Sequence, residues 1–276
     1  MAHNIDLKVV EGFGDEWSRF DQSHLTEGDR LEMFEGYFAI FPWHLLPEGC
    51  VGFDLGCGSG RWARLVAPRV GKLYCIDPSA AALSIAQKNL ENNDNCTFHV
   101  AGVDNIPLAD ASADFGYSLG VLHHIPDTVA GIKACAAKLK PGAPFLLYLY
   151  FAFDNKPSWY RLLWRMSNLA RVQISIAPYP LRYVISQAIA CLIYFPLARL
   201  ARVLELLGLN VDSVPLAYYR KLSFYVMRTD ALDRFGTRLE KRFTRKEIVS
   251  MMQTAGLEKI SFGEARPYWV ALGYKQ

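Results

Sequence analysis

The residues best suited to binding chemistry lie in the stretch DLGCGSG, residues 54–60, which directly follows a short apolar run. Gly56 and Gly58 permit backbone torsions and a close approach that a side chain would block, and Gly60 allows a helix to pack closely. Asp54 supplies a carboxylate that can accept a hydrogen bond from an ammonium group or organise the loop. The loop alone fits a dinucleotide, a phosphate or a tight turn.

A second acidic position narrows these alternatives. The stretch CIDPS places Asp77 seventeen residues after Gly60, where a carboxylate can accept hydrogen bonds from both hydroxyls of a ribose. A phosphate loop would need a lysine after the glycines, and GSGRWA has none. An NAD-binding fingerprint would need its third glycine one residue later than Gly60. A ribose-containing ligand other than NAD is therefore favoured.

Two adjacent histidines could carry proton transfer. His123 and His124 lie in GVLHHIPD, directly after a predicted strand. A neutral imidazole there could take a proton from a hydroxyl or an amine. Adjacent side chains on a loop are expected to point apart, so at most one of the two is predicted to be a base, and a structural role for both is the alternative.

The elements that must position these residues follow from periodicity. Strands are predicted at residues 50–55, 72–77, 96–100, 114–120 and 143–151, with helices at residues 60–69, 79–91 and 127–139. A helix capped by Thr244 and two closing strands follow near the C-terminus. The predicted fold class is α/β, a Rossmann-like open, mostly parallel seven-stranded sheet with helices on both faces. An N-terminal helical arm and a helical insertion after the fifth strand complete it.

The same reading divides the chain into four segments. We predict an N-terminal arm at residues 1–45, a cofactor-binding core at 46–153, a helical insertion at 154–242 and the C-terminal part of the core at 243–276. The insertion contains helical stretches around residues 158–171 and 181–207 and a weaker one at 230–240.

Four motifs together resemble a known family. DLGCGSG, CIDPS, DFGYSLGVLHHIPD and LKPGAPFLLY look like successive motifs of class I S-adenosylmethionine-dependent methyltransferases, in matching order and spacing. The later stretch FTRKEIVSMMQTAGL is similar to a C-terminal helix of that family. The most similar branch methylates small molecules, as in ubiquinone biosynthesis and natural-product pathways.

The resemblance implies S-adenosylmethionine as the cofactor and assigns residues to its parts. Asp54 and the backbone of residues 56–60, including Cys57, would face the methionine part. Asp77 would bind the ribose hydroxyls, and Pro78 would lie beside the adenine. No metal ligands are implied.

The adenine amine contact is less clear from the resemblance. The family commonly has a carboxylate near the end of the third strand, and this chain has Gly102 there. Either the carboxylate of Asp104 or the backbone of Val103 is expected to replace it, with a solvated loop acid as the alternative reading of Asp104. Leu119, at the end of the fourth strand, completes the implied cofactor set.

Two aromatic segments suggest how the site is covered. FGDEWSRF, with Phe13, Trp17 and Phe20, is a candidate lid whose rings could stabilise a sulfonium; a helix packed on the core is the alternative. The aromatic residues of the insertion, such as Trp159 and Trp164, would cap the acceptor site or form the insertion's own core.

The implied function is transfer of the methyl group of S-adenosylmethionine to an O, N or C nucleophile of a small, apolar or aromatic molecule. His123 or His124 would serve as base, or alignment of the reactants alone would suffice. The alternative is a non-catalytic partner or regulatory protein that binds S-adenosylmethionine, although neither the glycine loop nor the ribose acid has decayed. A nucleic-acid methyltransferase would show Asn or Asp followed by Pro-Pro where GVLHH stands.

Composition sets the remaining expectations. The net charge of +3 over 276 residues disfavours nucleic acid as a partner, so a small-molecule or lipid-like acceptor is expected. Six cysteines without a C-x-x-C pair and an N-terminus without a secretion signal favour reduced thiols and a cytoplasmic location. The apolar stretch at residues 183–198 falls short of the roughly 20 residues of a membrane span. Peripheral membrane contact is compatible with it, and the oligomeric state is left open.

Overall fold

The computed structural model describes residues 4–276, in which one seven-stranded sheet is the central feature. The strands are β1 (Val51–Leu55), β2 (Lys72–Asp77), β3 (Cys96–Val100), β4 (Phe115–Leu119), β5 (Pro144–Tyr148), β6 (Leu257–Phe262) and β7 (Val270–Lys275). Their order is β3-β2-β1-β4-β5-β7-β6, and β7 runs in the direction opposite to the other six strands. The predicted fold class is confirmed. The order reverses between β1 and β4, which places the switch point beside the glycine loop.

The helices of the core unit are α1 (Leu7–Arg19), α3 (Ala63–Val66), α4 (Ala80–Asn89), α5 (Thr128–Lys138) and α10 (Arg245–Thr254). Helix α2 (Glu27–Phe38) precedes β1. Side chains fix the helix starts: Ser79 accepts a hydrogen bond from the backbone N–H of Ala82, and Thr244 forms a capping box with Glu247. The helix predicted at residues 60–69 is shorter than expected, because α3 passes into a 3-10 turn at Pro68.

Reciprocal packing fixes the centre of the sheet. Gly52 pairs with Phe115 and Phe53 pairs with Gly116 across β1 and β4. A Cβ on Gly52 would lie 2.1 Å from the Phe115 ring, and one on Gly116 would lie 2.3 Å from the Phe53 ring. Each glycine therefore makes room for the aromatic ring opposite it, and both rings are fully buried.

A second compact unit comprises Ser23–Arg30 and Phe153–Arg238. Its helices are α6 (Ser158–Ser175), α7 (Tyr179–Ile189), α8 (Phe195–Leu206) and α9 (Phe224–Gly236). Compared with the predicted insertion at 154–242, this helical unit ends earlier and takes in residues from the predicted N-terminal arm. Its own core contains Tyr194, whereas Trp159 is exposed.

Helices α7 and α8 are continuous through a π-helical turn, Ala190–Tyr194. Pro196 cannot donate a backbone hydrogen bond, and the wider turn accommodates it without ending the helix. The result is one 28-residue helix, Tyr179–Leu206, that is long and apolar enough by length and composition to cross a membrane. The prediction that this segment is too short for a span was wrong. A single such helix is weak evidence for a span.

Candidate functional site

The glycine loop between β1 and α3 is held in place by backbone hydrogen bonds to β2. The N–H groups of Gly56 and Cys57 both donate to the carbonyl of Ile76, at 2.7 and 3.1 Å. Gly56 has a φ of +77°, and a Cβ there would lie 2.3 Å from Val121. Gly58 and Gly60 also have positive φ, of 55° and 76°. The loop therefore needs glycine at these positions for its conformation as well as for space.

The close helix approach expected at Gly60 exists, but the partner is α4. A Cβ on Gly60 would lie 2.9 Å from Leu90 and 3.3 Å from Ala86. Both residues follow β2 instead of β1. The glycine loop is thus packed directly against the helix that begins after Asp77.

Asp77 joins the glycine loop to that helix. One carboxylate oxygen accepts from the N–H of Gly58 at 2.9 Å, and the other accepts from the N–H of Ser79 at 2.8 Å. Burial raises the pKa of Asp77 to about 6, although the two N–H groups oppose the rise. The carboxylate is held in a fixed orientation at the carboxyl end of β2, with further lone pairs left for a ligand.

Asp54 is the more deeply buried of the two acids. It is 1% exposed, and its Oδ2 has no hydrogen-bond partner among residues 4–276. Burial raises the pKa of this carboxyl well above its usual range, while the neighbouring Tyr117 hydroxyl lowers it. A buried acceptor without a partner is costly unless a ligand supplies the donor.

Helix α1 lies across the glycine loop. A Cβ on Gly58 would lie 2.9 Å from the indole nitrogen of Trp17, and the guanidinium of Arg61 lies 5.1 Å from the Trp17 ring centre. The Phe13 ring is 5.1 Å from that of His124. Phe20 is buried. The predicted lid segment therefore covers the loop and contacts a candidate base in this structure, and its action as a lid stays a prediction.

The two histidines lie close together, so the expectation that they point apart was wrong. Their ring centres are 3.9 Å apart, and the ring of Tyr150 is 3.9 Å from that of His123. His124 Nδ1 lies 2.6 Å from the carbonyl of Leu239, so it carries the proton and donates. Neither ring nitrogen of His123 has a hydrogen-bond partner within the described chain.

His123 is held neutral by its surroundings. Burial lowers its pKa well below the usual range, and electrostatic interactions with His124 and Arg242 lower it further. Arg242 lies with its guanidinium 5.0 Å from the Tyr150 ring centre and pairs with Glu240 at 2.7 Å. The cluster thus presents an unprotonated imidazole nitrogen at neutral pH.

Comparison with known proteins identifies this core. Residues 53–147 match the family model of a methyltransferase domain. The core is a class I methyltransferase domain. The predicted family is therefore confirmed, and S-adenosylmethionine is the methyl donor that this class uses.

Relatives share the domain but not the whole chain. A ubiquinone biosynthesis O-methyltransferase from Hahella chejuensis is 30% identical over 164 residues, which cover 56% of this chain and 64% of that protein. Its namesake from Idiomarina loihiensis is 34% identical over 112 residues, covering 38% of this chain and 44% of that protein. The chain therefore spans less than two thirds of the length of these relatives.

A solved structure supports the fold alone. An O-methyltransferase family protein from Burkholderia thailandensis superposes with a TM-score of 0.54 at 14% identity. The match covers 98% of this chain and 60% of that one.

The remaining predicted residues of the methyltransferase domain lie at the same sheet edge. Pro78 follows β2, Val103 lies in a 3-10 turn after β3, and Leu119 ends β4. Asp104 is exposed, and its carboxylate accepts a hydrogen bond from the backbone N–H of Asn4. The N-terminal segment therefore engages the acid that was a candidate for the adenine amine, and Val103, which is buried, stays the alternative.

Several residues of the methyltransferase domain site were missed at the sequence level. Val121 forms the wall against Gly56, the Tyr150 ring packs against His123, and Arg242 lies beside Tyr150. Tyr150 and Arg242 are distant in sequence and meet because Phe151 and Phe243 form a bridge between their segments. No local spacing could have indicated this pair. Among residues 4–276, no cluster of three or more His, Cys, Asp or Glu could hold a metal ion.

Proposed function

We propose that this protein transfers the methyl group of S-adenosylmethionine to an O, N or C nucleophile of a small, apolar or aromatic molecule. The observation that carries the proposal is the pair of buried carboxylates, Asp54 and Asp77, on either side of a loop whose glycine positions leave no room for a side chain. A cationic ligand with hydroxyl groups compensates both acids, and S-adenosylmethionine has an ammonium, a sulfonium and a ribose diol.

The residues fit that cofactor in a specific order. The unpartnered Oδ2 of Asp54 would accept from the methionine ammonium. Asp77, oriented by two backbone N–H groups, would accept from the ribose hydroxyls. Pro78 would pack beside the adenine, and Val103 or Asp104 would meet its amine. When bound, the cofactor supplies a methyl group already activated by its sulfonium.

His123 is the proposed proton acceptor in this scheme. Its imidazole is neutral, and its two nitrogens have no partner within residues 4–276, so it can accept a proton from an attacking hydroxyl or amine. His124, fixed by the Leu239 carbonyl, is a positioning residue that packs against it. The low pKa of His123 makes it a weak base, and alignment of the nucleophile would supply the rest of the acceleration.

The acceptor is proposed to be a small or lipid-like molecule, and the relatives' names support oxygen as its methylated atom. Peripheral membrane contact by a cytoplasmic protein belongs to the same proposal. A partner protein that binds S-adenosylmethionine without catalysis is the second candidate, favoured by the deep burial of both histidines.

Calorimetric titration with S-adenosylmethionine and S-adenosylhomocysteine tests the cofactor assignment. Asp77→Ala should abolish measurable binding, and Asp94→Ala, which changes an exposed acid outside the site, should not. Transfer of radiolabelled methyl groups to a panel of hydroxylated, amino and carbon-acid aromatic compounds then tests catalysis. Cofactor binding without transfer to any of them would favour the non-catalytic candidate, and no binding by the natural sequence would overturn the proposal.

A further inference from the structure

The exposed side of α6 carries large apolar side chains along its whole length, with Arg161, Arg165 and Gln173 exposed among them. Its exposed large side chains recur every three or four residues, which is the spacing of one helix face. They are Trp159, Leu162, Leu163, Met166, Leu169, Val172 and, just after the helix, Ile176. Contiguous exposed apolar surface of this extent marks a site of contact with another apolar surface.

The opposite face of α6 packs within the helical unit through apolar residues, such as Ile174, and through a buried polar residue, Arg171. Arg171 is only 5% exposed, whereas Leu169 is 72% exposed. The Arg171 guanidinium donates to Asn168 at 2.7 Å and to the carbonyl of Thr237 at 2.8 Å. The buried Arg171 is therefore satisfied within the helical unit, and the exposed apolar side chains are the ones left to the surroundings.

The helix Tyr179–Leu206 of the same unit also exposes large apolar side chains. Its exposed side chains are Leu181, Val184, Leu192, Ile193, Phe195, Leu200, Val203 and Leu206. Its other face is built from small residues and Tyr194 and packs on Met227, Ala231 and Phe235 of α9. One side of the helix is thus held by protein, so it is suited to lie along an apolar surface rather than to cross one alone.

Charge identifies the partner. Residues 153–238 contain 12 Lys and Arg against 5 Asp and Glu, a net charge of +7 in a chain whose total is +3. Between residues 155 and 211 the only acid is Glu205, which is paired with Arg202 and Arg220 at 2.7 and 2.8 Å. A second copy of such a surface would be repelled, and an anionic surface would be attracted.

We propose that the helical unit binds the surface of an anionic bilayer through the exposed faces of α6 and the helix Tyr179–Leu206. The apolar side chains would enter the boundary between headgroups and acyl chains, and exposed arginines such as Arg161 and Arg165 would meet the anionic headgroups. The inference rests on the proposed function, whose membrane contact it assigns to named side chains, and it brings the protein to lipid-like acceptors.

Flotation of the full chain with vesicles tests this assignment. Wild-type protein should float with vesicles of phosphatidylcholine and phosphatidylglycerol at 3:1 and much less with phosphatidylcholine alone. A rise from 0.1 to 0.5 M NaCl should weaken binding because it screens the arginines. The double variant Met166→Gln/Leu169→Gln should lower the partition coefficient by about tenfold or more. Both side chains are mostly exposed, so the fold should tolerate the change.

The control is Leu45→Gln. It changes an apolar residue of the core unit that is 59% exposed, and the variant should float like wild type. Equal flotation of the double variant and wild type, or no flotation of wild type, would overturn the proposal. So would sedimentation velocity showing a wild-type dimer that the double variant loses, because a second copy would then occupy the face.

Calorimetry with S-adenosylmethionine on the same samples separates this inference from the proposed function. Flotation without cofactor binding would refute the methyltransferase assignment and keep the bilayer surface. Cofactor binding without flotation would refute the bilayer surface and keep the methyltransferase assignment.

Discussion

Replacing Asp77 by Asn tests the electrostatic reasoning at the site. The folded-state pKa of Asp77 is raised to about 6, above its ordinary value of 3.8, because the carboxyl is buried. Between these two values the folded protein holds a proton that the unfolded chain has lost, so stability falls as pH rises through this window. This is the reverse of an acid that is stabilised by an ion pair.

The magnitude follows from the difference between the two pKa values. Each pH unit is worth about 1.4 kcal/mol. The raised pKa of Asp77 therefore lowers the stability of the folded state, relative to low pH, by about 3 kcal/mol near pH 7 and about 1 kcal/mol near pH 4.5. Asn removes this cost, but its single oxygen cannot accept from both Gly58 and Ser79, which costs about 1–3 kcal/mol at every pH. The pH-independent loss cancels when the variant and wild type are compared at two pH values.

Urea unfolding at pH 4.5 and pH 7 measures the effect. We compare the free energy of unfolding of Asp77→Asn with that of wild type at each pH. The variant's value relative to wild type should be about 2 kcal/mol higher, meaning more stable, at pH 7 than at pH 4.5. S-adenosylmethionine affinity should fall by about 10- to 150-fold in the variant at pH 7, because charged acceptors form hydrogen bonds worth about 1.5–3 kcal/mol. Asp94→Asn serves as the control. A pH-independent difference in stability would refute the argument that burial raises this pKa.

Three further outcomes are expected. Gly56→Ala should lower the free energy of unfolding by about 2–4 kcal/mol, because Ala is strained at positive φ and its Cβ would overlap Val121, and its cofactor affinity should fall with it. Gly52→Ala should cost at least about 1–3 kcal/mol through the Phe115 ring, yet leave cofactor affinity in the folded protein unchanged; a large loss of affinity would contradict the separation of core from site. His123→Asn should lower kcat by about 100- to 10,000-fold if this residue is the base, with cofactor affinity by calorimetry nearly constant; wild-type kcat would reject that role.

Much of the core could be predicted because its signals are local. The strands at residues 72–77 and 96–100 are observed with the predicted bounds, since each is a short run of strand-forming residues ended by turn residues. Thr244 and Glu247 form a capping box, and this local pair is enough to predict the start of α10. These elements were predictable because their hydrogen bonds and spacing involve residues only a few positions apart.

The helical unit shows where local reading fails. The apolar periodicity of α6 is visible in the sequence, but such a stripe ordinarily faces a core, and here Leu169 faces outward while Arg171 is buried. Pro196 lies inside the long helix, and the π-helical turn before it keeps the helix continuous. Which face of a helix is buried depends on the elements that pack against it, and the helix's own hydrophobic periodicity does not identify those elements.

The sequence by itself determined the α/β sheet, the glycine loop and the position of Asp77 at a strand end, because backbone freedom and periodicity are properties of short segments. Only the tertiary structure decided that Asp77 bridges Gly58 and Ser79, that the rings of His123 and His124 meet, and that Tyr150 and Arg242 enclose them. Burial, pKa and pairing depend on groups that are remote in the chain, and they exist once the chain has folded.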